Sequence, residues 1–374
     1  MVVWLLALAS ALSLAVFLYP YLLYPLALRR LPSRPVVKAD NDAKLSLLFC
    51  AYNEASSLPN KLANLRRLKE RYPTIEILAF DDGSDDGTTE MLRTEFPLVT
   101  LIEGAGRSGK AAGMKQLAAT ATGDVLVFTD ANVILDESSL ENLIPYYGDP
   151  AVGGVCGTLL YSTDEDSTTA IVGSAYWRLD ELLRDAESRT GNVMGADGSI
   201  FSIRRELYPT FPDTVLDDFT VSMSVVFSGR RLIKARDVVA YEKSVSQRGD
   251  EMRRKIRIGA RSYHTHAYLR PQLRQMSAVD RFKYTSRKLL RWFGGVFLAS
   301  AGIFALAAIS TYSIVLGVVA VLVGVSIGSI SYLSSRGPLA KVTDTVIAIF
   351  ATLIGVFRGI RGETMATWAP AKSR

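Results

Sequence analysis

Cysteine and histidine are nearly absent from this chain, each occurring twice among 374 residues. Cys50 and Cys156 both lie in apolar segments, which excludes a disulfide framework and reads as two reduced core thiols. His264 and His266 stand two apart with no third ligand nearby, which argues against a histidine metal centre. Charge is missing from both ends: Val2 to Leu28 and Trp292 to Leu333 carry no charged side chain. No internal repeat or low-complexity linker interrupts the chain. Gly104 to Lys110 looks like a phosphate loop but Ala111 stands where such loops carry a hydroxyl residue after lysine, which argues against a P-loop NTPase. The basic runs lack aromatic interleaving and any known module, so nucleic acid is not an expected partner.

What is present divides the chain by composition. The second charge-free stretch is long enough for two membrane spans at roughly 20 residues each. Residues 342–357 offer a third, with Lys341 and Asp344 intruding on its start, that either spans or lies in the interface. The N-terminal run is longer than a signal-peptide core and is followed by Arg29, Arg30, Arg34 and Lys38, the pattern of a retained anchor with a cytoplasmic C-terminal flank. The reading is a transmembrane anchor over 1–28, a cytosolic domain over 36–268, an amphipathic interface helix over 269–291 and a membrane region of two or three helices over 292–374. The expected location is the inner (plasma) membrane, multi-pass, with the catalytic domain cytoplasmic. Net charge is +6, concentrated in Arg253-Arg254-Lys255 and in Arg281 to Arg291, which suits anionic membrane lipids and a phosphorylated substrate.

The charged middle opens as alternating strands and helices. Leu45 to Ala51, Ile75 to Phe80, Val99 to Ile102 and Asp124 to Thr129 read as strands. Between them fall helices at Leu58 to Tyr72, with its basic residues outward, at Gly87 to Phe96 and at Gly109 to Thr120. This is a parallel, doubly wound nucleotide-binding half. A glycine-rich segment at Val152 to Thr158, a helix through Arg184, a loop at Gly191 to Gly198, a strand at Ser199 to Arg204 and a helix at Phe219 to Ser228 extend it.

Polar clusters fall where apolar strands end. Tyr52 offers a ring face and Glu54 an acceptor after the first strand. Asp81-Asp82-Gly83-Ser84 follows the next, where a carboxylate can accept from a base or ribose. Lys110 opens a helix and can neutralise a pyrophosphate. Asp130 and Asn132, at i and i+2 of an extended segment, point the same way and can face a hard cation. Asp217-Asp218 precedes a helix, and a carboxylate near a hydroxyl can serve as general base. Each cluster alone is equally explained by a turn or a helix cap.

Taken in order, Tyr52-Asn53-Glu54, Asp81-Asp82-Gly83-Ser84, Gly109-Lys110-Ala111, Asp130-Ala131-Asn132, Gly195-Ala196-Asp197-Gly198 with Arg204-Arg205, Asp217-Asp218 and Arg254-Lys255-Ile256-Arg257 resemble the family 2 glycosyltransferases. The likeness covers roughly residues 44 to 265, and Thr367-Trp368-Ala369-Pro370 is similar to the end of membrane-bound bacterial members. It implies a GT-A fold: α/β, Rossmann-like, a mostly parallel mixed sheet with flanking helices, plus transmembrane helices at both termini. It implies an inverting enzyme with a nucleotide-sugar donor, expected to be UDP-linked, and a glycan or lipid-linked acceptor. Asp82 with Asp81 would bind uracil, and Asp130 would contact ribose and metal. Asn132 stands where the family usually has a second metal-binding carboxylate for Mg²⁺ or Mn²⁺. Asp218 would be the general base beside Asp217. Gly195, Asp197, Arg254 and Arg257 would meet acceptor or diphosphate. The Gln-any-any-Arg-Trp motif of processive members keeps only Arg257, which favours short transfers; a processive synthase without the tryptophan and a non-catalytic, decayed domain are the alternatives.

Overall fold

The computed structural model describes residues 1–374 except 96–98, 163–167, 244–246, 335–336 and 366–374, and the side chains of 95, 162 and 168–176 are likewise left aside. The Thr367 to Pro370 segment lies outside the described residues. The strands are β1 (Leu45–Ala51), β2 (Glu76–Asp81), β3 (Thr100–Glu103), β4 (Val125–Asp130), β5 (Ile134–Leu135), β6 (Val152–Ser162), β7 (Ile200–Arg204) and β8 (Arg231–Lys243). The helices of the charged middle are α2 (Leu58–Arg71), α3 (Thr88–Glu95), α4 (Lys110–Thr120), α5 (Ser139–Leu143), α6 (Thr168–Arg189), α7 (Asp217–Phe227) and α8 (Arg248–Gln275), preceded by α1 (Val2–Arg30). After them come α9 (Ala278–Tyr284), a π-helical turn at Thr285–Leu289, α10 (Leu290–Trp292), α11 (Gly294–Tyr312), α12 (Ile314–Leu333) and α13 (Pro338–Ile360).

All eight strands join one sheet in the order β3-β2-β1-β4-β7-β6-β8-β5. The first four pair in parallel, and β7 enters antiparallel to β4 and β6. The parallel strands are apolar on both faces because helices cover both, as Leu47 and Phe49 in one cluster and Leu48 in the other show. In α2, Leu58, Leu62, Leu65 and Leu68 recur at helical spacing and are all buried against this sheet.

Four differences from the sequence reading have physical reasons. Lys61 of α2 points inward, not outward, and is fully buried. The glycine-rich 152–158 segment is part of β6, where a Cβ on Gly154 would strike Leu232 and the Ser202 carbonyl. The helix after Leu216 begins at Asp217, so both aspartates lie in its first turn, favoured there by the free N–H groups and the helix dipole. Finally, α8 continues without a break through 269 to Gln275.

Among the described residues four helices, α1, α11, α12 and α13, are long and apolar enough to cross a membrane.

Candidate functional site

The register of the parallel strands sets the site's rim. Ala51 pairs with Asp81 and Cys50 with Asp130, so the loops after β1, β2 and β4 leave the sheet at one edge, where open α/β sheets bind ligands. Cys50 and Cys156 are free thiols here, and burial pushes both up from the ordinary thiol range.

The first loops are cross-tied. Asp81 accepts from Ser84 N (3.1 Å), Ser84 Oγ (2.5 Å) and Thr89 Oγ1 (2.9 Å). Asp82 accepts from Ser108 N (2.7 Å) and Gly109 N (3.0 Å), which holds the loop leading into Lys110. Glu54 accepts from Ser57 Oγ (2.5 Å) at the start of α2. The Tyr52 ring is covered by the Arg107 guanidinium at 3.5 Å, which in turn lies 3.7 Å from Asp82. Tyr52, Glu54, Asp81 and Asp82 therefore share one rim, braced by their own hydrogen bonds.

Charge converges at the N-terminus of α4. Lys110 Nζ lies 2.5 Å from Asp130 Oδ1 and 3.9 Å from Asp217 Oδ2. Gly198 marks the centre: a Cβ there would come within 2.8 Å of Lys110 Nζ, 3.4 Å of Asp218 Oδ2 and 3.8 Å of Asp130 Oδ2. Any larger residue would fill the space these three groups face. Burial and the neighbouring Asp217 charge lift the Asp218 carboxyl to about 6, against the pull of Lys110 and the Phe219 N–H that donates to it at 2.6 Å. Lys110, although buried, is held well above the usual lysine range by Asp130, Asp217 and Asp218.

Asn132 Nδ2 donates to Glu242 Oε1 at 3.0 Å, and its Oδ1 has no hydrogen bond among the described residues. Glu242, near the end of β8, was invisible in sequence; its only signal is an acidic residue at an inward position of a long strand. Arg254 Nε donates to Glu251 (2.9 Å), and Arg254 is held above the usual arginine range by Glu251, Tyr161 and Glu242. It thus sits behind Glu242 on this rim. Arg257 lies half-buried one turn further along α8. His266 meets the Tyr284 hydroxyl at 2.9 Å and His264 the Thr214 hydroxyl at 3.3 Å.

Below Asp130, Lys61 Nζ donates to the Val133 carbonyl (2.7 Å) and reaches Thr129 Oγ1 (3.4 Å), gripping the chain on both sides of Asp130 and Asn132. Burial lowers its pKa to about 7, the more distant Asp130 acting the other way. The folded value lies below that of the unfolded chain, near 10.4, so the folded state resists protonation. This cost is present in full below about pH 7 and relieved as pH rises toward 10. Wild type should therefore gain stability on Lys61→Met across pH 7 to 10, by on the order of 1.4 kcal/mol per unit at steepest. Denaturation midpoints of both proteins at pH 6.5 and 9.5 check this; a gap independent of pH would refute it.

A buried ionic cluster backs the 191–198 loop. Asp180 of α6 accepts from Arg184 (2.9 Å), Arg287 (2.8 Å) and Arg291 (2.8 Å). Glu187 accepts from Arg287 (2.7 Å) and from the Tyr24 hydroxyl of α1 (2.6 Å). Arg184 also pairs with Asp197 at 2.8 Å, and Lys234 pairs with Glu181. Lys283 donates to the Glu187 and Asn192 carbonyls (3.0 and 3.2 Å). Asp197 therefore serves the loop's own anchorage. Gly195 has φ +89°, and a Cβ there would strike the Phe219 ring at 2.8 Å; only glycine fits this turn.

Helix α8 braces the Asp217-Asp218 pair. Arg261 donates to the Val215 carbonyl (3.0 Å) and Thr265 Oγ1 accepts from Leu216 N (2.8 Å), fixing the segment that enters Asp217. On its other side α8 meets α13 backbone to backbone: a Cβ on Gly259 would lie 2.6 Å from the Thr352 carbonyl, and one on Gly359 2.5 Å from that of Ala260. Gly355 faces the Ile256 carbonyl in the same way.

Comparison with known proteins places this geometry. Residues 46–211 match the family described as Glycosyl transferase family 2. The chain is 25% identical over 217 residues to the poly-beta-1,6-N-acetyl-D-glucosamine synthase of Staphylococcus aureus, aligning 54% of this chain with 50% of that protein. It is 24% identical over 204 residues to an O-antigen chain rhamnosyltransferase of Salmonella typhimurium, aligning 53% of this chain with 63% of the relative. The chain thus spans about half the length of the first relative and under two thirds of the second. A mannosyltransferase from Pyrobaculum calidifontis, solved in complex with GDP-Man and Mn²⁺, superposes with a TM-score of 0.74 at 23% identity, covering 94% of this chain and 99% of that one. This last likeness is one of fold.

Proposed function

We propose that the chain, whose residues 46–211 match the Glycosyl transferase family 2 and whose fold is that of a GT-A enzyme, is a glycosyltransferase of that family that transfers a sugar, with inversion, from a nucleotide-sugar donor to a hydroxyl of a membrane-associated glycan or lipid acceptor. The observation that carries this reading is the convergence of Lys110, Asp130, Asp217 and Asp218 on the space before Gly198. Asp218 takes the acceptor's hydroxyl proton as that oxygen attacks the anomeric carbon. The bond to the diphosphate breaks, and its electron pair leaves with the nucleoside diphosphate. One in-line displacement inverts the carbon, through an oxocarbenium-like state. Lys110 lies where positive charge would meet the leaving diphosphate, and Asp82 and Asp81 on the rim where a base or ribose would bind.

Asp130 and Asn132 suit a hard divalent cation, since both offer oxygen and the Glu242 contact turns the Asn132 amide so that Oδ1 remains available. When bound, Mg²⁺ or Mn²⁺ would supply charge to neutralise the leaving diphosphate. The Pyrobaculum enzyme's GDP-Man and Mn²⁺ support a nucleotide sugar and a metal. They also make GDP-linked donors the rival to the UDP-linked donor expected from sequence. The four apolar helices support a membrane location, and Arg29, Arg30, Arg34 and Lys38 after the first of them favour a cytoplasmic catalytic domain and lipid contacts for the basic flanks. The domain divisions at 1–28, 36–268, 269–291 and 292–374 remain our proposal, with the third beginning inside α8.

A processive reaction is the second reading, favoured by the likeness to a polysaccharide synthase; product length on a sizing gel separates the two. A non-catalytic, decayed domain is not retained. The direct test is a thermal-shift screen of UDP- and GDP-sugars with Mn²⁺, because a ligand of the folded state raises its stability. A donor should stabilise wild type, and Asp82→Ala should lose at least tenfold in donor affinity. It loses the rim carboxylate and also releases the Ser108-Gly109 amides. Unchanged affinity in Asp82→Ala would remove Asp82 from the donor site.

A further inference from the structure

A cavity of about 580 Å³ opens where α1 ends, walled by Arg29, the linker that follows α1, the last turns of α6 and part of β8. Its walls are tied to one another. Arg189 of α6 donates to the Leu28 carbonyl (2.8 Å), and Arg34 N donates to the Arg189 carbonyl (2.7 Å). Arg231 of β8 donates to the carbonyls of Arg34 (2.7 Å) and Pro35 (3.1 Å). The linker is thus strapped to α6 and β8, and the cavity is preformed, as ligand sites usually are.

Five cations line it, Arg29, Arg34, Arg189, Lys234 and Arg236, against two carboxylates, Asp185 and Asp237. Both carboxylates are engaged. Asp185 pairs with Arg236 (2.9 Å), and Asp237 pairs with Lys38 (2.5 Å) and accepts from the Tyr146 hydroxyl (2.7 Å). Lys234 pairs with Glu181. Arg29, Arg34 and Arg189 are exposed, and none of their guanidinium groups meets a carboxylate among the described residues. Neighbouring cations feel them: burial and Arg34 lower Arg231 below the usual arginine range against the pull of Asp149. Burial, with Arg34 and Arg231, likewise brings Lys283 to about 8 against Glu187 and Asp280. Three guanidinium groups around one open space suit an anion with several oxygens, which arginine grips as a planar fork.

Apolar surface runs up to the same mouth. Leu22, Leu26 and Arg29 stand at i, i+4 and i+7 of α1, on one face. Both leucines are more than half exposed, and so is Leu182 of the cavity wall. The 29 residues of α1 extend about 43 Å, beyond the roughly 30 Å of a hydrocarbon core, which puts Arg29 among the headgroups when the helix spans. A ligand that carries apolar chains beside its anionic group fits this succession of surfaces; a soluble anion leaves the leucines uncovered.

We propose that this cavity holds the phosphate of one anionic membrane lipid, gripped by Arg29, Arg34 and Arg189, with the acyl chains along Leu22 and Leu26. The site is more than attraction by a basic flank. Lys38 is taken up by Asp237, Arg30 lies outside the lining, and Arg189 arrives 161 positions after Leu28. The bilayer as the lipid's source rests on the membrane reading of α1; the anion site does not.

The test titrates the full chain in an uncharged detergent with dioctanoyl phosphatidylglycerol, dioctanoyl phosphatidylcholine or inorganic phosphate, and native mass spectrometry counts the ligand retained. Wild type should keep one phosphatidylglycerol at least tenfold more tightly than phosphatidylcholine. Arg34→Gln should weaken that binding about fivefold, and Arg29→Gln combined with Arg34→Gln at least tenfold. Arg30→Gln removes an equal charge outside the cavity and should cost less than twofold. The Arg29 and Arg34 side chains bond to nothing in the fold, so melting temperatures of these variants should match wild type. Equal losses in Arg34→Gln and Arg30→Gln, equal affinity for the two lipids, or inorganic phosphate bound as tightly as phosphatidylglycerol overturns the proposal. Flotation of the chain with phosphatidylcholine vesicles keeps the two readings apart. Lipid selectivity in detergent without flotation refutes the membrane reading alone, and flotation without selectivity refutes the headgroup site alone.

Discussion

Asp218→Asn is expected to slow sugar transfer by roughly 10²- to 10⁴-fold, the usual contribution of a positioned general base. The substitution is nearly isosteric, and an amide oxygen can still accept from Phe219 N, so the first turn of α7 should keep its geometry. Its effect on stability separates this role from a structural one. The folded-state pKa of Asp218 is raised to about 6 by burial and Asp217, so the folded protein holds this proton more tightly than the unfolded chain, whose value is near 3.9. Stability from this group is therefore greatest below about pH 4 and is lost as pH rises through 6. At neutral pH asparagine removes an unfavourable charge, and the variant should melt no lower than wild type. The same pKa predicts that wild-type transfer falls tenfold per unit as pH drops below about 6, and that the residual activity of the variant lacks this limb. Single-turnover rates between pH 5 and 8, with melting curves of both proteins, check all three. Wild-type turnover in Asp218→Asn would end its assignment as the base.

Asp180→Ala should produce the largest loss of stability. Asp180 is 5% exposed and joins Arg184, Arg287 and Arg291, which are themselves buried or nearly so. These arginines hold it well below the usual carboxylate range, overcoming the burial that opposes them. Removing it leaves three guanidinium groups with too few counter-charges, a change that costs about 3–5 kcal/mol in buried networks. Because the folded pKa is depressed, the contribution is fully present above roughly pH 4 and disappears only on acidification below that. It should also resist salt, since buried pairs are poorly screened. Denaturant midpoints at low and high salt measure it; a loss under 1 kcal/mol would mean that the arginines find other partners.

The parts legible in sequence were those encoded locally. β1, β2 and β4 are short apolar runs ending in polar clusters, so the parallel half and its loaded edge could be read directly, as could Lys110 at a helix start; its contact with Asp130 could not. The rest depends on contacts between distant segments. Asn132 meets Glu242 across 110 positions, a pairing set by the antiparallel register of β5 on β8. Lys61 and Lys283, both buried, read as ordinary basic residues of amphipathic helices, because nothing in helical spacing tells an inward lysine from a solvated one. Arg261 and Thr265 were overlooked in the same way: a buttress is recognisable only once the loop it supports lies beside it.

The contact of α8 with α13 has a consequence for product architecture. Gly259, Gly355 and Gly359 leave no room for side chains between the two helices, while the far side of α8 holds the entry to Asp217-Asp218. On the function proposed above, an apolar helix and the proton acceptor are thereby locked to one rigid rod; with α13 at a lipid boundary, that rod would work as a ruler, holding every hydroxyl that receives sugar at one set height from the bilayer.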